Sequence, residues 1–165
     1  MQNITLIGMP GSGKSTVGQA LAKKLDWGYI DTDTLIVERH GKIQTILDEQ
    51  GPATFRKIEE QLLLSLLETQ KTIISPGGSV IYSPASMAHL KSLSTVIFLN
   101  VPLVVIQKRC EAAKRGIVGL KEKGWDVLYA ERTALYKKYA DLEIIPQGGP
   151  PSADAEQILP LLSIN

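Results

Sequence analysis

At 165 residues the chain is long enough to bury the core of one domain and gives no sign of a second. Its 44% hydrophobic and 21% charged content is ordinary for a globular protein, and a net charge of +1 gives no electrostatic case for a nucleic-acid partner. No apolar run nears the length of a bilayer span, no basic leader precedes the first apolar run, and Cys110 is the lone cysteine, so the expectation is a cytoplasmic protein, off the membrane and without an intramolecular disulfide; a monomer is expected, though nothing in the sequence sets the oligomeric state.

In chain order, the first strand-like run is Ile4–Ile7, and "GMPGSGKST", Gly8 to Thr16, follows it directly. This stretch matches G-x-x-x-x-G-K-[ST], and helical spacing resumes over 14–25. Glycines let successive N–H groups point into one concavity, and the helix start adds its positive dipole end. Gly11, Ser12, Gly13, Lys14, Ser15 and Thr16 are therefore the candidate phosphate cradle, with Lys14 reaching the outer phosphates and Ser15 a Mg²⁺ ligand. A glycine turn that binds nothing is the bland reading, and the strand and helix on either side disfavour it.

The next strand, Trp27–Ile30, runs into Asp31 in "DTD". It is the one apolar run ending in an acid, which makes Asp31 the candidate to hold Mg²⁺ through water. Asp33 allows two readings: a carboxylate facing an acceptor hydroxyl, or the N-cap of the helix over 33–40. No N-K-x-D element accompanies Asn3, Asn100 or Asn165, which argues against a guanine-specific switch.

Helices are expected over 43–50 and 53–69, with Pro52 at the start of the second. "FRKIE" sets Arg56 and Glu59 one turn apart, as a solvated ion pair or as a guanidinium held for a ligand. Strand Thr72–Ser75 ends in "PGGS", whose Gly77 and Gly78 allow close approach to the backbone. A helix over 84–92, strand Thr95–Leu99 and a helix over 102–113 follow. Glu111 to Trp125 carries three glycines among basic residues and reads as a flap or as a plain helix–helix connection. Arg132 and Tyr136 lie on a helix over 125–140; Arg132 with Arg56 would form a two-pronged carboxylate clamp. Strand Leu142–Ile145, the loop Pro146 to Ser152 and a helix near 153–162 complete the chain. Strands alternating with helices predict an α/β fold with a parallel sheet covered on both faces.

The ordered set of phosphate loop, "DTD", "FRKIE", "GGS", Arg115 and "R…LY…AD" resembles the shikimate kinase family over nearly the whole chain. The resemblance implies a three-layer P-loop NTPase fold with a five-stranded parallel sheet in the order 2-3-1-4-5. It implies transfer of the ATP γ-phosphate to the 3-hydroxyl of shikimate, with Mg²⁺ as cofactor and a small molecule as partner. Lys14, Asp33 and Arg115 would then be catalytic. Ser15 and Asp31 would serve the metal, and Asp33, Arg56, Gly77, Gly78 and Arg132 the acceptor. Arg109 and the loop at Pro146–Ser152 would take the adenine. An acceptor-binding region over about 32–60 and a lid over about 112–124 complete the expectation. Two departures fall on the acceptor side: Ser79 stands where the family commonly has a third glycine, and the lid reads Arg115-Gly116-Ile117-Val118 instead of Arg-Pro-Leu-Leu. A sister kinase for another hydroxylated, carboxylated metabolite is the alternative. A nucleotide-binding module without catalysis fits less well, since Lys14, Ser15, Asp31, Asp33 and Arg115 are all present.

Overall fold

The computed structural model describes residues 3–66, 69–113, 117–146 and 149–162. Five strands, β1 (Asn3–Ile7), β2 (Gly28–Asp31), β3 (Thr72–Ser75), β4 (Ser94–Leu99) and β5 (Leu142–Ile144), form one parallel sheet in the order β2-β3-β1-β4-β5. Each connection returns through helix, as parallel pairing requires. The helices are α1 (Lys14–Leu25), α2 (Thr32–His40), α3 (Ile43–Leu64), α4 (Pro84–Leu93), α5 (Leu103–Ala113), α6 (Leu120–Tyr139) and α7 (Pro151–Ile158).

Alternation along the strands divides the core. Ile4, Leu6, Ile73, Ile97 and Leu99 face α1 and α7, where they meet Val17, Leu21, Ala155 and Ile158. Their neighbours Ile7, Ile74, Val96 and Phe98 face the other way, onto Leu63, Met87, Leu90, Leu128 and Tyr136. A period of two on a sheet covered on both faces yields this two-sided core. Phe98 and Tyr136 stack with ring centres 5.1 Å apart, fixing α6 over β4. A third, smaller cluster of Ile36, Ile46, Phe55 and Leu62 ties α2 to α3. On α1 the buried positions Lys14, Val17, Gly18, Leu21 and Ala22 mark one helical face.

The expected elements shift at their ends. α3 spans both helices expected over 43–50 and 53–69, bends at Gly51 before Pro52, and stops at Leu64, with Ser65 capping it. Leu67 and Glu68 lie outside the described residues. α6 begins at Leu120, ahead of the expected 125, and bends at Gly124 (φ 72°, ψ 170°). The sequence pattern hides that first turn because Gly119 and Gly124 bracket it. α7 starts at Pro151, which takes the first helical position, where its missing N–H costs nothing.

Candidate active site

The C-terminal ends of β1, β2 and β3 share one edge of the sheet, and the chain crosses over there. From β1 the Gly8–Thr16 loop turns into α1. Gly13, the residue before α1, has a left-handed φ of 92°, a conformation that suits glycine. No side chain caps α1, and its first turn carries no acid. Its first N–H groups and positive dipole end are thus left for an anion. Lys14 is buried, and its Nζ donates to the carbonyls of Gly8 at 2.9 Å and Met9 at 3.1 Å. Arg109 reaches over from α5 and donates Nη1 to the Gly11 carbonyl at 3.0 Å. A cavity of about 320 Å³ is lined by Gly11 to Val17, Asp31, Asp33, Ser75, Arg109, Gly149 and Pro151. Gln147 and Gly148 of the expected adenine loop lie outside the described residues.

Asp31 ends β2 opposite Ser75 of β3. Its Oδ1 accepts from the N–H groups of Asp33 (3.0 Å) and Thr34 (3.3 Å), so Asp31 is the N-cap of α2. This corrects the capping reading of Asp33, which sits in the first turn of α2. Oδ2 of Asp31 accepts from Ser15 Oγ at 2.8 Å and Tyr29 OH at 3.1 Å. A hydroxyl and a carboxylate oxygen touching at the start of α1 are hard ligands of the kind Mg²⁺ takes. Among the described residues no group of three or more His, Cys, Asp or Glu could hold a metal. The donor set therefore fits an ion that keeps water and phosphate ligands, and does not fit an all-protein cage.

A second cavity, of about 220 Å³, is lined by Asp33, Phe55, Gly77, Gly78, Ser79, Ile117, Val118 and Arg132 among others. Asp33 borders both cavities. A Cβ on Gly77 would overlap Glu59 Oε1 and come within 2.8 Å of Asp33 Oδ1, so a side chain here would push both carboxyl groups away from the chain. The turn is fixed on both sides: Gly77 N donates to Thr32 Oγ1 at 3.2 Å, and Tyr136 OH donates to the Gly78 carbonyl at 2.6 Å. Burial pushes the Tyr136 phenol far above its usual range, so it remains a donor.

Two buried charged residues frame this cavity. Arg132 is 1% exposed; its Nη2 donates to the Val118 carbonyl at 2.7 Å, while Nε has no hydrogen-bond partner. Glu59 is 2% exposed; its Oε2 accepts from Ser79 Oγ at 2.7 Å, and Oε1 has no partner. Burial pushes the Glu59 carboxyl up to about 7, and nearby Asp33 adds to the rise. The Ser79 hydrogen bond and the charges of Arg132 and Lys14 oppose it.

The arginine pair differs from expectation. Arg56 is exposed and lines a neighbouring cavity of about 230 Å³ with Glu59, Ser79 and Tyr82, so it and Arg132 do not converge in one pocket. Glu59 bonds Ser79 and does not hold Arg56, because its burial turns it inward while Arg56 stays in water. Arg56 stacks instead on Tyr82, its guanidinium carbon 4.8 Å from the ring centre. Tyr82 carried no motif in the sequence; neither did Asp154, which lines the first cavity with a buried Oδ1 that has no partner. A lone acid in the first turn of α7 was the one available signal for Asp154. Arg115, expected in the lid, lies outside the described residues with Lys114 and Gly116. Of the remaining lid segment, Ile117 and Val118 line the second cavity and 120–124 belongs to α6.

A family model described as shikimate kinase matches residues 10–163. The shikimate kinase of Persephonella marina (strain DSM 14350 / EX-H1) is 34% identical over 161 residues, which is 96% of this chain and 98% of that one. Among solved structures, shikimate kinase from Acinetobacter baumannii in complex with shikimate gives a TM-score of 0.90 at 30% identity, covering 98% of this chain and 92% of that one. Shikimate kinase from Aquifex aeolicus gives 0.79 at 33% identity, covering 96% and 94%.

Proposed function

Because the chain belongs to the shikimate kinase family, we propose that it transfers the γ-phosphoryl group of ATP to the 3-hydroxyl of shikimate, giving shikimate 3-phosphate and ADP. The observation that carries this reading is the meeting of two cavities at Asp33. One has the lysine, the uncapped helix and the glycine loop that a triphosphate needs. The other offers a buried guanidinium with an unsatisfied N–H, suited to an acid.

In this reading Lys14 steadies the charge of the transferring group, and Asp33 orients the acceptor hydroxyl and takes its proton. Gly11, Ser12, Gly13, Ser15 and Thr16 cradle the phosphates, and Arg109 borders the nucleotide. Ser15 and Asp31 would hold Mg²⁺, which when bound neutralises charge on the phosphate oxygens. Arg132 and Arg56 receive the acceptor carboxylate, with Arg56 moving in from its present position, and Gly77 and Gly78 line the acceptor. The region over about 32–60 is the acceptor-binding part and about 112–124 the lid from which Arg115 meets the phosphates; the lining by Ile117 and Val118 supports this. We take the enzyme to act as a cytoplasmic monomer, off the membrane and nucleic acid. No described helix is long and apolar enough to cross a membrane.

The test is a panel of hydroxy acids in one ATP-coupled assay. Shikimate should give the highest kcat/KM, and shikimate methyl ester should fall about ten- to a hundredfold below it, as loss of a charge-assisted bond requires. A different hydroxy acid ranking first would move the assignment to a sister kinase, with Ser79 as the residue to examine.

A further inference from the structure

Tyr82 belongs to none of the motifs above, yet three cations gather on its ring. It ends the 3-10 turn Val80–Tyr82 that follows the Gly77-Gly78 turn. The guanidinium carbon of Arg56 lies 4.8 Å from the ring centre, that of Arg132 5.4 Å, and Lys123 Nζ 5.9 Å. The phenol donates to Glu131 Oε1 at 2.6 Å, and Glu131 Oε2 accepts from Lys123 at 2.6 Å. Arg56 comes from α3, while Lys123, Glu131 and Arg132 come from α6. One half-buried ring thus joins the two helices that carry the acceptor arginines.

Two like charges drawn toward one cavity repel each other, and Arg56, exposed on a long flexible stem, would relax into water. An aromatic face opposes both effects. Its negative quadrupole attracts each cation, and its flat surface removes rotamer freedom from the exposed one. Tyr82 shares its cavity with Ser79, which also lines the acceptor cavity, so the cavity that holds Arg56 adjoins the acceptor site.

We propose that Tyr82 is a positioning residue for the acceptor carboxylate: its ring holds Arg56 and Arg132 together and keeps Arg56 in the cavity next to the acceptor cavity, from which it moves in when the acceptor binds. The inference rests on the carboxylate-clamp reading of those arginines. Tyr82 acts through Arg56 and does not itself touch the acceptor.

The experiment measures kcat and the KM for shikimate and for ATP in wild type, Tyr82→Leu, Tyr82→Phe, Arg56→Ala and the Tyr82→Leu/Arg56→Ala double variant, with melting curves to confirm folding. Tyr82→Leu should raise the shikimate KM about two- to thirtyfold and leave the ATP KM unchanged. Tyr82→Phe, which keeps the ring and loses the hydroxyl that bonds Glu131, should remain within about twofold of wild type. In the Arg56→Ala background the leucine change should add almost nothing, because the cation it positioned is gone. Tyr82→Met repeats the test if the leucine variant melts early. If Arg56→Ala raises the shikimate KM but the Tyr82 effect is absent, or multiplies through in the double variant, Tyr82 is a packing residue and the inference fails alone. If Arg56→Ala leaves the shikimate KM untouched, the clamp reading fails and takes the inference with it.

Discussion

The two cavities share Asp33 but are built in different ways. On the nucleotide side the groups come largely from one contiguous stretch and its backbone: the carbonyls of Gly8 and Met9 hold Lys14, and α1 begins uncapped. The acceptor side is assembled from side chains on separate elements, through Glu59 with Ser79, Tyr136 with Gly78 and Arg132 with Val118. Backbone geometry set by glycines needs little support from distant packing. A cavity of buried polar side chains depends on every element that carries them, and an unmatched group there is costly. A lesion on the nucleotide side should therefore remove chemistry and spare the fold, while one on the acceptor side should disturb neighbours as well.

Lys14→Ala should give the largest effect. We predict a fall in kcat of about a thousandfold, with shikimate affinity and melting temperature close to wild type. Shikimate affinity lost in parallel with turnover, by calorimetric titration, would erase the division between the two sides. Asp33→Asn comes next, since it touches both cavities. The amide keeps the shape and loses the negative charge, so kcat should drop about a hundredfold while ATP affinity holds. Collapse of ATP binding instead would move Asp33 to the nucleotide side.

Glu59→Gln should have the smallest effect on turnover and the clearest one on stability. Below about 4.5 the Glu59 carboxyl is neutral in both the folded and the unfolded chain. As pH rises from there to about 7 the unfolded chain releases the proton and the folded chain keeps it, so unfolding gains ground; above about 7 both are ionised and the loss is complete. Wild-type melting temperature should thus carry a downward component across this window, set by Glu59 among Asp33, Arg132 and Lys14, and the glutamine variant should lack it. Identical pH profiles for the two proteins would mean that Glu59 is ionised in the fold throughout.

The nucleotide side was readable because its chemistry is local: Lys14 and Ser15 follow the glycines directly, and Asp31 ends a strand. The acceptor side was readable only where a motif marked it. Glu59 was legible as a neighbour of Arg56 and not as the partner of Ser79, because nothing in "FRKIE" says which residue turns inward once α3 packs. Tyr82 was invisible for a related reason: its partners Arg56, Glu131 and Arg132 are brought to it by packing. The alternating strands were plain, but their spatial order came from family resemblance, since periodicity states which face is buried and not which strand lies beside which.

Asp31 spends its two oxygens in different directions, one on the first turn of α2 and the other on Ser15 at the start of α1. In mechanical terms it is a rivet through two helix ends. The distance from the start of α1 to Asp33 is set by two residues of chain and these hydrogen bonds, and owes little to the soft apolar contacts between α2 and α3. Any flexing of α2 would then pivot about this point, so its far end would move more than the carboxylate nearest the phosphate loop.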